Sequence, residues 1–210
     1  MPLNFQPRRV QPPRSAAAQS LKFPILFEID AIRSILAGRK TQDRRLAQSA
    51  LGVCRPGDRL WVRERFAPGR VPAGQSREHF CALGKAEFVV CQDGWRQFRD
   101  GSGHFGPKLA RRSARWMPAM QMPRWASRAT LLVHSAHFEN LQSATASDIS
   151  DEGMVASFGG VFWHRYRPRD GIWRNPSTAY AAYWNKSRSS PGERWQDDPI
   201  VVALRFQLEW

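Results

Sequence analysis

The sequence lacks any long apolar run, and its first twenty residues carry arginines and prolines instead of a hydrophobic secretion signal. A membrane-spanning helix needs about 20 apolar residues, so no segment is predicted to cross a bilayer. Cysteine is scarce and odd in number, with single residues at Cys54, Cys81 and Cys91. Together these absences predict a cytoplasmic protein whose thiols are reduced.

Motifs that hold metals or nucleotide cofactors are also missing. No Cys-x-x-Cys pair occurs, and the spacing of the three cysteines with His79 is irregular for a zinc site. His134 and His137 fall on opposite faces of a predicted strand, so they do not form a ligand pair. Neither a Gly-x-Gly-x-x-Gly fingerprint nor a Walker loop is present. We therefore expect no metal and no cofactor.

Lysine is rare, because only five of the 32 basic residues are lysine and the others are arginine. Basic residues outnumber the 18 acidic ones, and the formal net charge is +14. Arginine forms bidentate hydrogen bonds with phosphates and stacks on bases. Nine tryptophans accompany it, a combination that suits single-stranded nucleic acid. RNA is the predicted partner and single-stranded DNA a second possibility. A GC-rich coding bias together with ordinary core tryptophans is the alternative explanation.

The pattern of composition divides the 210 residues into a tail and one domain. Residues 1–20 are rich in proline, glutamine, alanine and arginine, and they predict a disordered basic tail. Residues 21–210 predict a single domain. It contains an irregular insertion around 92–122 and a glycine-, tryptophan- and arginine-rich loop at 157–174, and long insertions of this kind are often functional or disordered.

Strand patterns outnumber helix patterns in the domain. A helix is predicted over Ala31 to Ala37, capped by Asp30 and ended by Gly38. Strands are predicted at 22–27, 59–66, 129–138 and 200–206, a hairpin at 78–90, and further helices at 145–154 and 177–187, the first of them capped by Ser147. This order predicts an α+β fold that is mainly β: a small curved β-barrel with helices packed at its ends.

The stretch Gly38 to Arg45 concentrates charge just after the first helix. Four basic side chains surround one carboxylate, Asp43, and one hydroxyl, Thr41. A loop held at the end of a packed helix is a usual place to bind anions. The alternative is that Lys40 and Arg45 only hold phosphate while Asp43 only orients an arginine.

Two further segments are predicted to lie beside this loop. The stretch Pro123 to Arg128 is rich in arginine and tryptophan, and Trp125 is interpreted as a site residue, whereas the mid-strand Trp61 is interpreted as structural. Glu64 shares a strand face with apolar neighbours. If that face is buried, Glu64 needs a cation partner; the alternative is a strand-end carboxylate exposed to water.

Several motifs in order resemble the ASCH domain in its bacteriophage and prophage branch. They are Gly38 to Arg45, Pro56 to Glu64 and Met122 to Arg128, followed by Glu139-Asn140-Leu141-Gln142, Asp151-Glu152-Gly153 and Trp184-Asn185. The resemblance runs from about Leu21 to Phe206. It implies a PUA-like fold, a cleft lined by the Gly-x-Lys loop, RNA or a nucleoside as ligand, and the cytoplasm of a bacterial host.

Some ASCH relatives are similar to acetylcytidine amidohydrolases and others to ribonucleases. The resemblance puts their lysine on Lys40 and the candidate acid on Glu64, but Asp43 stands where the amidohydrolases have threonine. If the chain is an enzyme, Lys40, Asp43 and Glu64 are the predicted catalytic residues. Crowding by arginines disfavours the ammonium form of Lys40 and favours a nucleophilic amine, while Asp43 opposes this effect.

Three hypotheses follow from the sequence. The first is an RNA-binding protein; the second is a hydrolase of the same fold, acting on a modified cytidine or on RNA; the third is a phage accessory factor that binds an acidic host protein. The predicted nucleic-acid contacts are Arg39, Lys40, Thr41, Arg44, Arg45, Arg63, Arg124, Trp125, Ser127 and Arg128.

Overall fold

The computed structural model describes residues 9–13, 20–110, 114–165 and 171–209. Within these ranges the chain is α+β and mainly β, with three α-helices among thirteen strands. In chain order the elements are β1 (Arg9–Val10), β2 (Lys22–Leu26), α1 (Ile29–Leu36), β3 (Gln42–Leu46), β4 (Arg59–Arg63), β5 (Phe66–Arg70), β6 (His79–Phe80), β7 (Phe88–Cys91), β8 (Trp95–Phe98), β9 (Gly103–Phe105), β10 (Thr130–Asn140), α2 (Ala146–Asp151), β11 (Val155–Ser157), β12 (Phe162–His164), α3 (Pro176–Asn185) and β13 (Ile200–Glu209).

The described residues fall into two compact units. Unit 1 contains the described parts of Met1–Phe23, Arg33–Arg59 and Leu131–Glu209. Unit 2 contains Pro24–Ile32 and Leu60–Thr130.

The sheet of unit 1 is organised around β13, which lies between β10 and β3. Its apolar run from Val201 to Leu204 is fully buried, as expected for a strand that has a neighbour on each side. β3 pairs antiparallel with β13, and Gln42 lies opposite Arg205. The part of the predicted basic loop from residue 42 onward is therefore a strand, because β13 supplies a partner for its backbone.

The tail is tied to unit 1 at β1. Arg9 and Val10 pair antiparallel with Phe138 and His137 of β10, and the Gln11 amide N–H donates to the Ala136 carbonyl at 2.7 Å. Residues 9–13, predicted to be disordered, thus make ordered backbone contacts. Residues 1–8 and 14–19 of the predicted tail lie outside the described residues, whereas Ser20 is described.

All three predicted helices are confirmed, the one expected at 31–37 as α1, in which Asp30 lies in the first turn rather than at the cap, and the other two as α2 and α3. A reciprocal capping box begins α2, but the cap is Thr145 with Asp148 rather than the predicted Ser147. Asn175 caps α3 and Pro176 occupies its first turn. Both helices contribute to one buried cluster of unit 1, formed by Leu141, Ala144, Ile149, Met154, Trp163, Ala179, Tyr180, Trp184 and Val201.

The predicted loop at 157–174 contains part of a hairpin. β11 pairs antiparallel with β12, with Ser157 opposite Phe162. The backbones of Trp163 and Trp173 also exchange two hydrogen bonds, at 2.6 and 2.9 Å. Residues 166–170 of this predicted loop lie outside the described residues.

Unit 2 contains a five-stranded antiparallel sheet in the order β6-β5-β7-β8-β9. Gly69 lies opposite Phe88, and a Cβ at Gly69 would lie 2.6 Å from the Phe88 ring, so only glycine fits there. Strands β8 and β9 fall inside the insertion predicted as irregular at 92–122, of which residues 111–113 are outside the described set. The buried cluster of this unit is Phe66, Val89, Cys91, Met122 and Ala126.

None of the sheets in the described part of the chain closes into a barrel. The expected small curved barrel is therefore corrected to open sheets; the sheet of unit 2, for example, ends at β6 on one side and β9 on the other. No described helix is long and apolar enough to cross a membrane.

Candidate functional site

The turn after α1 directs Lys40 into the interior of unit 1. Gly38 adopts a φ of +69°, which lets the chain reverse at the end of the helix. The amide N–H groups of Arg39 and Lys40 then both donate to the Ser34 carbonyl, at 2.8 and 3.1 Å. As a result Lys40 is only 2 % exposed.

The Lys40 ammonium is saturated by oxygen acceptors. Its Nζ donates to the Gln42 carbonyl at 2.8 Å and to the carbonyl and carboxylate of Glu152 at 3.1 and 3.0 Å. It also lies 2.8 Å from Asp43 Oδ1. At Gly153, which has a φ of +89°, an added Cβ would lie 3.3 Å from the Lys40 Cβ. The glycine therefore allows the close approach between Glu152 and Lys40.

These contacts reverse the prediction of a nucleophilic amine. Burial acts to lower the pKa of Lys40, but the Asp43 and Glu152 carboxylates outweigh it, and the pKa is raised. The arginines that the sequence places beside Lys40 are less important than the two carboxylates in direct contact with it. Lys40 is therefore an ammonium ion at neutral pH and does not act as a nucleophile in this state.

Arg44 is buried in a second part of the same network. Its guanidinium contacts three carboxylates: Nε donates to Glu139 at 2.7 Å, Nη1 donates to Glu152 at 3.1 Å, and Nη2 lies 3.6 Å from Asp148. Burial acts to lower the pKa of Arg44, but the carboxylates raise it overall. With 2 % of its surface exposed, Arg44 does not reach the phosphate that the sequence predicted as its partner.

Asp43 is held by two cations. Arg45 Nε donates to Asp43 Oδ2 at 2.6 Å, and Lys40 lies on the other carboxylate oxygen. Burial acts to raise the pKa of Asp43, but Arg45 and Lys40 lower it. This matches the alternative in which Asp43 orients an arginine, and an acid with a lowered pKa is a weak general base.

Of the basic stretch, only Arg39 is exposed among residues 39–45. Thr41 is half-buried, and its amide N–H donates to the Asp151 carbonyl at 2.9 Å. Arg45 keeps 26 % of its side chain exposed while it binds Asp43. Most of the charge in this stretch is therefore internal and compensated.

Glu64 lies in unit 2 and forms a bidentate pair with Arg128. Arg128 Nε and Nη2 donate to its two oxygens at 2.7 and 3.0 Å, and Arg128 Nη1 lies 2.9 Å from Asp93. The prediction that a buried Glu64 needs a cation partner is confirmed, and the solvent-exposed alternative is wrong. Burial raises the pKa of Glu64, although Arg128 opposes the shift. Arg128 is consequently occupied by carboxylates rather than facing a ligand.

A different arrangement surrounds Trp61 in unit 2. The Arg63 guanidinium carbon lies 4.3 Å from the centre of the Trp61 ring, and that of Arg124 lies 5.8 Å from it. Arg124 donates to the Thr130 hydroxyl at 3.1 Å, and Arg63 Nε is buried with no hydrogen-bond partner in the described structure. No described carboxylate forms an ion pair with either arginine.

Trp125 carries a third cation of unit 2. The Arg99 guanidinium carbon lies 4.4 Å from the centre of the Trp125 ring. The indole packs against the buried cluster of unit 2, so Trp125 is partly structural. Ser127, predicted to contact nucleic acid, instead donates from its hydroxyl to the Ala129 carbonyl at 3.0 Å.

Sequence reasoning missed Arg99 as a site residue and gave no role to Glu139, Asp148 or Glu152 in the Arg44 network. The sequence did contain a signal for Glu152, because the Glu152-Gly153 pair places a carboxylate beside a glycine that permits close packing. No signal existed for Arg99, whose aromatic partner is distant in sequence. In the described part of the chain no group of three or more His, Cys, Asp or Glu residues could hold a metal ion.

Comparison of the chain with protein-family models, with curated proteins and with solved structures finds no match. The resemblance to the ASCH domain therefore stays a prediction.

Proposed function

We propose that the protein binds single-stranded RNA through a surface of unit 2 that we name the Arg–Trp surface: Arg63, Arg99, Arg124 and Trp125, with the buried Trp61 ring as the support for Arg63 and Arg124. The observation that carries the proposal is the pair of guanidinium groups on Trp61, which has no carboxylate partner among the described residues. The ASCH-like motifs support RNA as the ligand and a phage or prophage origin, with the protein acting in the cytoplasm of a bacterial host.

The physical argument begins with charge. Two guanidinium groups that share one indole repel each other, and partial desolvation lowers the pKa of Arg124. Stacking on Trp61 offsets part of this cost. An anion placed between the two guanidinium groups would remove the repulsion, and phosphate accepts such hydrogen bonds in a bidentate geometry.

The aromatic component favours a single strand over a duplex. Single-stranded sites combine a positive groove with aromatic side chains, and they tolerate many sequences because every base has a π-face. The second stack, of Arg99 on Trp125, adds another cation and another ring to the same unit. We therefore propose repeated phosphate contacts with little sequence preference.

The hydrolase hypothesis gains no support from the predicted catalytic residues. Lys40 is a paired ammonium ion, Asp43 is held by two cations, and Glu64 is bound by Arg128. The hypothesis of an acidic host protein uses the same surface charge as RNA binding, and it is separated from RNA binding by experiment.

The test measures binding of a fluorescent single-stranded RNA by anisotropy over a range of salt concentrations. The double variant Arg63→Gln/Arg124→Gln should bind about tenfold more weakly or worse. Its plot of log affinity against log salt should be shallower by about 1.4, because each phosphate of a single strand that is no longer neutralised reduces the slope by ~0.7.

The matched control is Arg70→Gln/Arg77→Gln, which removes the same charge from exposed positions of the same unit. If this control weakens RNA binding as much as the Trp61 pair does, net charge alone explains binding and the assignment of the surface fails. If the wild type binds no RNA but retains an acidic protein at high salt, the proposed function is wrong.

A further inference from the structure

The hairpin of unit 1 ends in an exposed aromatic residue with an unusual backbone. We name residues 158–161 the hairpin tip. Phe158 has a φ of +51°, a region that bulky L residues rarely adopt, and Gly159 and Gly160 follow with φ of +68° and +92°. The Phe158 side chain is 82 % exposed. Strained residues of this kind are concentrated at functional sites.

The tip is held in place by its own contacts. The Gly160 amide N–H donates to the Ser157 carbonyl at 3.2 Å, and the Trp163 indole N–H donates to the Gly160 carbonyl at 3.1 Å. Phe158 meets Phe162 edge to face, with ring centres 5.9 Å apart. Most of the Phe158 side chain is thus exposed to solvent on a turn that its neighbours hold in place.

The chain around the tip is strongly basic. Residues 154–190 contain six arginines and lysines against one acidic residue. In the described part of this segment Arg174 is exposed, and the Arg188 guanidinium carbon lies 3.6 Å from the centre of the Trp184 ring. Arg188 forms no ion pair with a described carboxylate.

The hairpin and these cations belong to one packed body. Trp163 of β12 and Trp184 of α3 lie in the same buried cluster, and the Arg165 guanidinium carbon lies 4.2 Å from the centre of the Tyr183 ring on α3. The exposed ring of Phe158 is therefore fixed to a scaffold that carries positive charge.

Charge decides which partner fits the tip. A second copy of this chain would bring another net charge of +14 against the basic segment, which opposes association. A single-stranded nucleic acid supplies both phosphates that neutralise the arginines and planar bases that stack on an exposed ring.

We infer that Phe158 is a stacking platform for an unpaired base of single-stranded RNA, at a site in unit 1. The inference rests on the proposed function, because it takes the same ligand, single-stranded RNA, and assigns base stacking to a residue of unit 1. Stacking of this kind is tolerant of base identity, so no sequence specificity is implied.

The experiment compares Phe158→Ala, Phe158→Trp and the wild type for binding the same fluorescent RNA over a range of salt concentrations. Phe158→Ala should bind about tenfold more weakly at every salt concentration, in line with the loss of one stacked base. The salt slope should not change, because no cation is removed. Phe158→Trp should retain the affinity of the wild type, since indole stacks at least as well.

The matched control is Phe105→Ala, which removes another exposed aromatic ring, 65 % exposed on β9 of unit 2, and should leave the affinity unchanged. A second control ligand is heparin, a polyanion without bases, to which Phe158→Ala should bind like the wild type.

Three results would overturn the inference and leave the proposed function intact: RNA binding by Phe158→Ala that equals the wild type, an equal loss toward heparin, or a wild-type dimer that Phe158→Ala abolishes in sedimentation. A wild type that binds no RNA would overturn both proposals. Failure of the Phe158 inference can therefore be distinguished from failure of the proposed RNA binding.

Discussion

Arg44 of unit 1 and Arg63 of unit 2 are the same residue in opposite surroundings. Arg44 is buried among Glu139, Asp148 and Glu152, and two of these carboxylates accept its hydrogen bonds. The Arg63 guanidinium lies on Trp61, and no described carboxylate pairs with it. The first charge is compensated within the fold, whereas the second can still be compensated by a ligand.

The comparison shows that the density of charge in a sequence does not measure its availability. The stretch from Gly38 to Arg45 holds four basic residues in eight, yet its central members point inward to carboxylates. The cations of the Arg–Trp surface are dispersed in sequence and lie on indoles instead. A search for anion sites in this protein should therefore count the acids near each cation before it counts the cations.

The largest effect is expected when the compensated charge is removed. Arg44→Met removes the buried guanidinium from Glu139 and Glu152, and the free energy of unfolding should fall by about 3–5 kcal/mol. Lys40 still contacts Glu152 and Arg205 still contacts Asp148 in this variant. Urea denaturation followed by circular dichroism measures the change. Arg63 is half-buried. The variant Arg63→Met should therefore change the free energy of unfolding by less than about 1 kcal/mol.

Adding Glu139→Gln to Arg44→Met should recover about 1 kcal/mol or more, because it removes the buried negative charge that has lost its guanidinium. If Arg44→Met costs no more than Arg63→Met, the network in unit 1 is not structural and the contrast between the two arginines fails.

Part of the fold follows from local sequence. The Thr145–Asp148 box and the Asn175-Pro176 start define α2 and α3 from a few neighbouring residues, so both helices were predicted within a few residues. The apolar run in β13 indicates a buried strand by itself. The sequence left open whether Glu64 is buried; it indicated that a buried Glu64 would need a cation partner, but it did not identify Arg128.

The remainder depends on contacts that are distant in sequence. Arg44 meets Glu139 and Glu152 across separations of 95 and 108 residues, and no local pattern encodes such a pairing. For the same reason β3 looked like a loop, since its charges become compatible with a buried strand only when those carboxylates are present. The barrel was expected from the number and order of the strands and from the resemblance to the ASCH domain, and the number and order of strands do not determine whether a sheet closes.

A second test uses the two buried Glu–Arg pairs, whose pKa values move in opposite directions. Burial acts to raise the pKa of Glu139, but His137 and Arg44 lower it overall. Burial raises the pKa of Glu64 in spite of Arg128. Glu139 therefore contributes stability above its ordinary pKa and loses it as the pH falls. Glu64 does the reverse, because a raised folded-state pKa makes unfolding easier as the pH rises from about 4.5.

The measurement is the free energy of urea unfolding at several pH values between about 4 and 7. Relative to the wild type, Glu64→Gln should lose less stability as the pH rises, and Glu139→Gln should lose less as the pH falls. Parallel pH profiles for the two variants would show that their burial and pairing do not differ in the way the structure indicates.

The smallest effect on stability is expected when a carboxylate is added beside the arginines that stack on Trp61. This change also tests most directly whether these arginines are available to bind a ligand. Thr130 accepts a hydrogen bond from Arg124 at 3.1 Å, so Thr130→Glu places a carboxylate beside that guanidinium. A half-exposed ion pair changes stability by only about 0–1 kcal/mol. RNA affinity should nevertheless fall about threefold to tenfold, and the salt slope should become shallower by ~0.7, because an internal ion pair replaces one phosphate interaction.

Thr130→Gln is the matched control, since it has the same shape without the charge and should bind RNA nearly as well as the wild type. Equal losses for the two variants would trace the effect to the missing hydroxyl or to crowding on Trp61. A loss confined to Thr130→Glu would mean that one added carboxylate pairs with Arg124 as the buried carboxylates of unit 1 pair with Arg44. Pairing with an acid, rather than the number of arginines, would then determine whether a cation in this chain can bind a ligand.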